Sequence, residues 1–184
     1  MVDSTQVRNG AGQGGGRPSR ATAGILVAAT AAAGLMAGTF YVFACAVMPA
    51  LARSDDRVYV DVMRNVNDVI QNPVFLLVFM GAPVLAGAAA WRLRHTPGHR
   101  WVWAGAAAGV AAFLVTVVFN VPLNDGLAGP GDPAVLRERF EDAWVAWNVV
   151  RALLSTAALT CLAAGAVIHG RAARRGAEDV LSSV

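Results

Sequence analysis

Residues 144–168 read WVAWNVVRALLSTAALTCLAAGAVI and indicate a membrane-spanning helix. It is long enough to cross the hydrocarbon core of a bilayer, which takes ~20 apolar residues, yet it carries one charge, Arg151. Four polar or aromatic residues share the helix face of Arg151: Trp144, Trp147, Asn148 and Ser155. A charge inside a membrane span costs roughly 2.5 to 3.5 kcal/mol, so Arg151 indicates a functional site or a structural bond within a helical bundle.

Three more stretches lack Asp, Glu, Lys and Arg: residues 21–52, 69–91 and 101–124. Each exceeds the ~18–20 residues that span a bilayer. The 184-residue chain is 56% hydrophobic and only 15% charged, whereas soluble domains carry about 25% charged residues. We therefore predict an all-α fold. It is a four-transmembrane-helix bundle with a short interfacial amphipathic helix between spans 1 and 2 and a helical extension before span 4.

Composition divides the chain into three parts. Residues 1–20 are rich in Gly, Ser, Gln and Asn and predict a disordered N-terminal tail. Residues 21–170 form the four-helix membrane domain, and residues 171–184 form a polar C-terminal tail. The two tails and the connection between spans 2 and 3 carry three Arg each, whereas the other two connections carry more acids than bases. We therefore predict a bacterial plasma-membrane protein with both termini cytoplasmic.

Polar residues and prolines set the predicted helix ends. Ser54 is predicted to cap the amphipathic helix, and Asn72 to cap span 2 with Pro73 at its first position. Span 3 is predicted to run over residues 101–121, with a proline bending its end and a turn over 126–131. These boundaries bring the polar ends of spans 3 and 4 to the same side of the bundle.

Polar and aromatic residues of several segments converge at that end. Asn120 and Asn124 share one face of span 3, as Asn148 and Arg151 do on span 4. The other candidate site residues are Asp125, Trp144, Trp147, Tyr41, Asn67 and Asn72. Amide and guanidinium groups donate hydrogen bonds to an oxyanion, and aromatic walls accept a flat hydrophobic ligand. The pattern therefore favours a site for a planar phenol, quinone or enolate.

Structural interpretations of the same residues stay open. Trp144 is typical of an interfacial anchor, and Asn72 of a helix cap. The asparagines within spans can bond across helices, and Arg151 can bond to carbonyls that Pro122 frees. Two other functions are therefore alternatives. The first is a non-catalytic binding or partner subunit whose polar cluster specifies helix packing. The second is a small transporter, although no carboxylate lies deep in a span to couple transport to protons.

Several other chemistries are excluded at this end of the bundle. His95 and His99 lie in the connection between spans 2 and 3, and His169 lies at the far end of span 4. Haem, zinc and copper sites need His, Cys or clustered carboxylates, so we predict no metal. The net charge of +3 does not indicate nucleic-acid binding, because the basic residues lie beside membrane ends rather than on one patch.

At these residues the chain resembles the anthrone oxygenases, a family of small four-span membrane proteins. The resemblance covers about residues 25–170. It rests on four motifs in order: Met48-Pro49-x-Leu51, Asn67 followed by Asn72-Pro73-x-Phe75, Asn120-Val121-Pro122-Leu123-Asn124, and Trp147-Asn148-x-x-Arg151. The last two motifs are the specific ones.

The resemblance implies oxidation of an anthrone to an anthraquinone by O₂ without a dedicated cofactor, in an aromatic polyketide pathway. Arg151, Asn148 and Asn120 would then stabilise the oxyanion, and Asp125 would accept the proton. Three aromatic residues would stack on the rings: Trp144, Trp147 and Tyr41. The partners it implies are the lipid bilayer, a planar aromatic small molecule and O₂.

Overall fold

The computed structural model describes residues 20–182, except for the side chains of Ala177 and Val180. The described part of the chain is helical and contains no strand, which confirms the all-α prediction. The predicted disordered tail lies, apart from Arg20, outside the described residues. The helices are α1 Arg20–Val42, α2 Met48–Leu51, α3 Asp56–Ile70, α4 Pro73–Arg92, α5 His99–Val115, α6 Val121–Ala128 and α7 Pro133–Ser182, with π-helical segments at Phe43–Val47 and Thr116–Asn120.

Within residues 20–182, four continuous stretches are long and apolar enough to cross a membrane: Arg20–Leu51, Pro73–Arg92, His99–Ala128 and Pro133–Gly176. They are spans 1 to 4, and their number matches the prediction. The spans pack in a ring, with span 1 between spans 2 and 4 and span 3 between the same two. The helical extension before span 4 joins it without a break, because α7 begins at Pro133 and runs through the whole span.

Small residues pack tightly at the end of the bundle that holds the connection between spans 2 and 3. A Cβ atom added at Gly105 would lie 2.8 Å from Leu162 Cγ and 3.0 Å from the carbonyl oxygen of Ala158. Helices in membranes associate through such close backbone approaches, since lipid offers no hydrophobic drive between them. This end is therefore filled by alanine, glycine and leucine, and the space for a site lies at the opposite end.

Each π-helical segment ends two residues before a proline. Proline has no backbone N–H, and its ring clashes with the carbonyl group four residues earlier. Before Pro122, the N–H of Val121 bonds to the carbonyl of Thr116, five residues back. The same shift occurs before Pro49. Such π-helical turns often lie at functional sites, and here both widen their spans at the end that carries the polar residues.

Two predicted helix boundaries are wrong. Asp55 rather than Ser54 caps α3, because Asp55 Oδ1 accepts a hydrogen bond from Val58 N at 2.9 Å. Ser54 Oγ instead donates to the carbonyl of Leu51 at 2.6 Å. Span 3 does not end near residue 121 but continues as α6 to Ala128, since the first turn of a helical segment tolerates proline.

Helix α3 packs against α6 and α7, and we call this end of the molecule the capped end. Tyr59 and Met63 of α3 lie in one buried cluster with Phe140 and Trp144 of α7. Two arginines, Arg64 on α3 and Arg137 on α7, join α3 and the turn before it to the neighbouring segments. Arg64 donates to the carbonyls of Leu127 and Gly129 at 2.9 and 2.7 Å, and Arg137 bonds to Ala52 O, Ser54 O, Asp56 and Glu141.

Candidate functional site

A cavity of about 290 Å³ lies at the capped end, between the four spans and the C-terminal part of α3. Its wall is mainly aromatic and aliphatic, as in most sites for small molecules. The polar groups on its wall are those of Thr39, Asn67, Gln71, Thr116, Asn124, Asp125, Asn148 and Arg151. We call it the Arg151 cavity, because this residue provides its buried charge.

The Arg151 side chain is buried in the wall of this cavity. Its guanidinium carbon lies 4.4 Å from the ring centroid of Phe40 and 5.1 Å from that of Trp144. Its Nη2 donates to Asn148 Oδ1 at 2.9 Å, while its Nε has no hydrogen-bond partner among residues 20–182. Within the same part of the chain Arg151 forms no ion pair. The cavity therefore contains a desolvated cation that no carboxylate of the described chain compensates.

Two hydrogen bonds fix the residues around Arg151. Asn148 is fully buried, and its Nδ2 donates to the carbonyl of Phe40 at 3.0 Å, which joins span 4 to span 1. The indole Nε1 of Trp144 donates to Asn124 Oδ1 at 2.8 Å, which joins span 4 to α6. Asn148 thus donates to one partner and accepts from another, so its amide orientation is determined and Arg151 is held in place.

Asn120 lies in the π-helical segment of span 3 and is completely buried. Neither Oδ1 nor Nδ2 has a hydrogen-bond partner among the described residues. A buried polar group left without a partner costs roughly 1–3 kcal/mol. Asn120 does not itself line the Arg151 cavity, although Thr116, Val117 and Val121 on either side of it do. The amide is therefore a hydrogen-bonding group next to the cavity that the described fold does not use.

Three more of the candidate residues lie along the polar side of the cavity. Asn67 and Asn124 are half-buried, whereas Asp125 is exposed. Asn124 is already bonded to Trp144. The Asp125 side chain therefore lines the cavity and is also accessible to the surroundings of the protein.

The structure does not bring Tyr41, Trp147 or Asn72 to the cavity wall. Tyr41 is mostly exposed on the outside of span 1. Trp147 stacks on Phe119, with ring centroids 3.7 Å apart and planes 7° from parallel. Asn72 caps α4, as its structural interpretation predicted, and accepts backbone hydrogen bonds at 3.1 and 3.0 Å from the first turn.

Much of the aromatic wall consists of phenylalanines that are not among the predicted site residues. Phe75 and Phe79 stack along span 2 with centroids 5.7 Å apart, and Phe79 contacts Phe113 of span 3 at 5.0 Å. Phe40 and Phe43 contribute from span 1. The spacing of four between Phe75 and Phe79 was a usable signal, since such residues share a helix face.

Comparison with known proteins agrees with the resemblance seen in the sequence. Residues 72–161 match the family described as anthrone oxygenase. Searches of curated proteins and of solved structures gave no match. The matched segment includes Arg151 and Asn148 but begins after Phe40 and Asn67, so it contains most of the cavity wall rather than all of it. Residues 72–161, just under half of the chain, are therefore similar to the anthrone oxygenase family, and the described residues carry four helices long and apolar enough to cross a membrane.

Proposed function

We propose that this protein is a cofactor-independent oxygenase that converts an anthrone, or a similar planar phenol, to a quinone in the Arg151 cavity. The observation that carries the proposal is the uncompensated cation of Arg151 in an aromatic-walled cavity. Burying a charge without a partner is costly, and the anionic oxygen of a flat ligand would supply the missing charge. The family match supports the same class of substrate.

The reaction balances with O₂ as the sole oxidant. Loss of one methylene proton from an anthrone leaves an anion that is delocalised onto the ring oxygen. This anion gives one electron to O₂, and the resulting radical and superoxide combine into a peroxide anion. The peroxide anion then takes up one proton, which replaces the one lost from the methylene group, and becomes a hydroperoxide. Loss of water from the hydroperoxide forms the second carbonyl group, so one oxygen atom enters the quinone and the other enters water. The protein has to stabilise an anion and accept a proton, and it supplies no electrons.

The residues of the cavity suit these two tasks. Arg151 and Asn148 would hold the oxyanion, and such preorganised donors stabilise charge strongly where water is excluded. Among the described residues Arg151 donates one hydrogen bond, from Nη2 to Asn148, so its guanidinium keeps N–H groups with capacity for a new acceptor. Asp125 would accept the methylene proton directly or through water and pass it outward, because it lines the cavity and is exposed.

The surroundings of the protein complete the proposal. The arginine distribution favours cytoplasmic termini in a bacterial plasma membrane, which orients the capped end toward the extracytoplasmic side. O₂ and planar aromatic molecules are both apolar, so the bilayer concentrates both of them near the cavity.

The test is oxygen uptake and quinone formation by the purified protein with an anthrone. Removing one donor to an oxyanion typically lowers kcat by about 10²–10³-fold, so we expect a loss of that size for Arg151→Met. The control is Arg94→Met, since Arg94 lies beside Trp91 at the other end of span 2. Both variants are first checked for folding by gel filtration. Wild-type rates in Arg151→Met, or no activity of the wild type with several anthrones and phenols, would overturn the proposal.

A binding protein without catalysis is the second candidate. It is favoured by one observation: the carboxylate on the cavity wall, Asp125, is exposed rather than held beside Arg151. This function predicts tight binding of a hydroxyanthraquinone that depends on Arg151, without any oxygen uptake from the corresponding anthrone.

A further inference from the structure

The geometry points to a lateral portal: the Arg151 cavity opens to the bilayer between spans 2 and 3, and its aromatic ligand enters as a neutral molecule from the lipid. The portal consists of Leu76 and Met80 on span 2 and Val117 and Val121 on span 3. This inference rests on the proposed ligand site and adds the route and the physical state of the ligand.

The four portal residues line the cavity and are also partly exposed. All four line the Arg151 cavity. All four are also between 39% and 47% exposed. Apolar side chains that line a cavity and keep this much accessible surface border an opening in its wall. Since these four side chains are apolar, the opening is suited to lipid rather than to water.

The packing of the spans explains why an opening lies there. Span 2 packs principally against α1 and α5. Beyond α5, span 3 continues as the π-helical segment and α6, and these parts pack against α7 instead. The first turns of span 2 and the last turns of span 3 therefore have different partners. The space between them is the part of the cavity wall that the portal residues border.

The depth of the portal agrees with a lipid-facing position. Met80 lies seven residues after Pro73, where α4 begins, or roughly 10 Å along the helix at 1.5 Å per residue. Half of a hydrocarbon core measures about 15 Å. A portal at this depth opens among acyl chains rather than among headgroups.

The cavity also has a polar side, on which Asn67, Gln71 and Asp125 lie. A planar phenol or anthrone dissolves in a bilayer as the neutral molecule, because the anion is costly to bury. The ligand would thus pass the portal neutral and ionise only beside Arg151. Its proton would leave across the polar side, so ligand and proton use different faces of one cavity.

Two pairs of adjacent residues allow a matched test. Leu76→Trp and Val117→Trp add bulk at the portal on different spans. Leu77→Trp and Val118→Trp add the same bulk one residue away, at side chains that are 75% and 55% exposed and lie off the cavity wall. The protein is reconstituted into vesicles, and binding of a lipophilic hydroxyanthraquinone is followed in a stopped-flow instrument by the absorbance of the probe.

We expect association and dissociation rates to fall together, by about tenfold or more, in both portal variants, with wild-type rates in both controls. A sulfonated anthraquinone, which cannot enter the bilayer, should associate far more slowly with the wild type. Unchanged rates in both portal variants, or fast association of the sulfonated probe, would overturn the portal and leave the proposed function standing. A wild type that binds neither probe would overturn both.

Discussion

The indole Nε1 of Trp144 donates a 2.8 Å hydrogen bond to Oδ1 of Asn124. The ring of the same tryptophan lies 5.1 Å from the guanidinium carbon of Arg151. One side chain therefore joins span 4 to α6 and forms part of the environment of the buried cation. This geometry goes beyond that of an interfacial anchor, in which the indole faces lipid headgroups.

This hydrogen bond can be measured by a double-mutant cycle. Trp144→Phe and Asn124→Ala each remove one partner, so the double variant should lose less stability than the sum of the single variants. We expect a coupling free energy of about 1 kcal/mol, as is typical of a hydrogen bond. The measurement is unfolding by dodecyl sulfate in mixed micelles. Strictly additive effects would mean that the two groups are not bonded in the folded protein.

Asn120→Leu separates stability from function at one position. Asn120 is buried and its amide atoms have no partner among the described residues. Leucine removes the unpaired polar atoms, so the free energy of unfolding should rise, by up to about 1–3 kcal/mol. Affinity for a hydroxyanthraquinone should fall at the same time if this amide serves the ligand. Thermal unfolding and probe titration of one preparation give both numbers. A destabilised variant would contradict the absence of partners for the amide. Unchanged affinity would contradict a role of Asn120 in binding the ligand.

Burial of the Tyr59 hydroxyl predicts that the folded protein loses stability at high pH. Burial, with a further contribution from the negative charge of Glu141, raises the pKa of Tyr59 well above its usual value. In the unfolded chain this hydroxyl ionises near pH 10, while in the folded protein it stays neutral. The free energy of unfolding is therefore unaffected by this group below about pH 10. Above that pH it falls, by up to about 1.4 kcal/mol per pH unit.

The test of this prediction is the pH dependence of unfolding in Tyr59→Phe. Because the Tyr59 hydroxyl is buried without a partner in the described chain, the variant should be at least as stable as the wild type at neutral pH. Its stability should also decline less above pH 10. Tyr41→Phe is the control, since Tyr41 is exposed and should leave the alkaline decline unchanged. Identical declines in both variants would exclude Tyr59 as the cause.

Gly105 and Gly109 form a matched pair for the packing of spans 3 and 4. A Cβ atom at Gly105 would meet Leu162 at 2.8 Å and backbone at 3.0 Å, whereas one at Gly109 would meet Ala158 Cβ at an ordinary 3.9 Å. Overpacking typically costs about 1–3 kcal/mol, so Gly105→Ala should lower the melting temperature clearly and Gly109→Ala should not. Equal melting temperatures would show that the spans shift apart without cost.

The number of spans was predictable because it depends on composition along the chain. Charge-free stretches longer than a bilayer crossing identified all four spans, and Asn72 followed by Pro73 identified the start of span 2. The cluster of Asn148 and Arg151 was predictable as well, since residues three apart share a helix face. These signals are local, so no knowledge of the neighbouring helices was needed.

The placement of Tyr41 and Trp147 was not predictable in the same way. Both are aromatic and both lie at the right depth, yet Tyr41 is exposed and Trp147 stacks on Phe119 rather than on the cavity wall. Helical period gives the direction of a side chain relative to its own helix only. Which direction faces a cavity depends on how far each helix is rotated against its neighbours.

Four apolar spans, a charge inside the last one and polar groups at one end follow from the amino-acid sequence alone, because hydrophobicity and helical period act within each segment. The contacts of Phe40 and Trp144 with the guanidinium of Arg151 depend on the tertiary structure, as does the position of Leu76 and Val117 on the cavity wall with partly exposed side chains. These features depend on helix rotation, on the two π-helical segments before prolines and on which spans pack together. They arise from contacts between segments far apart in the chain, and no local pattern encodes them.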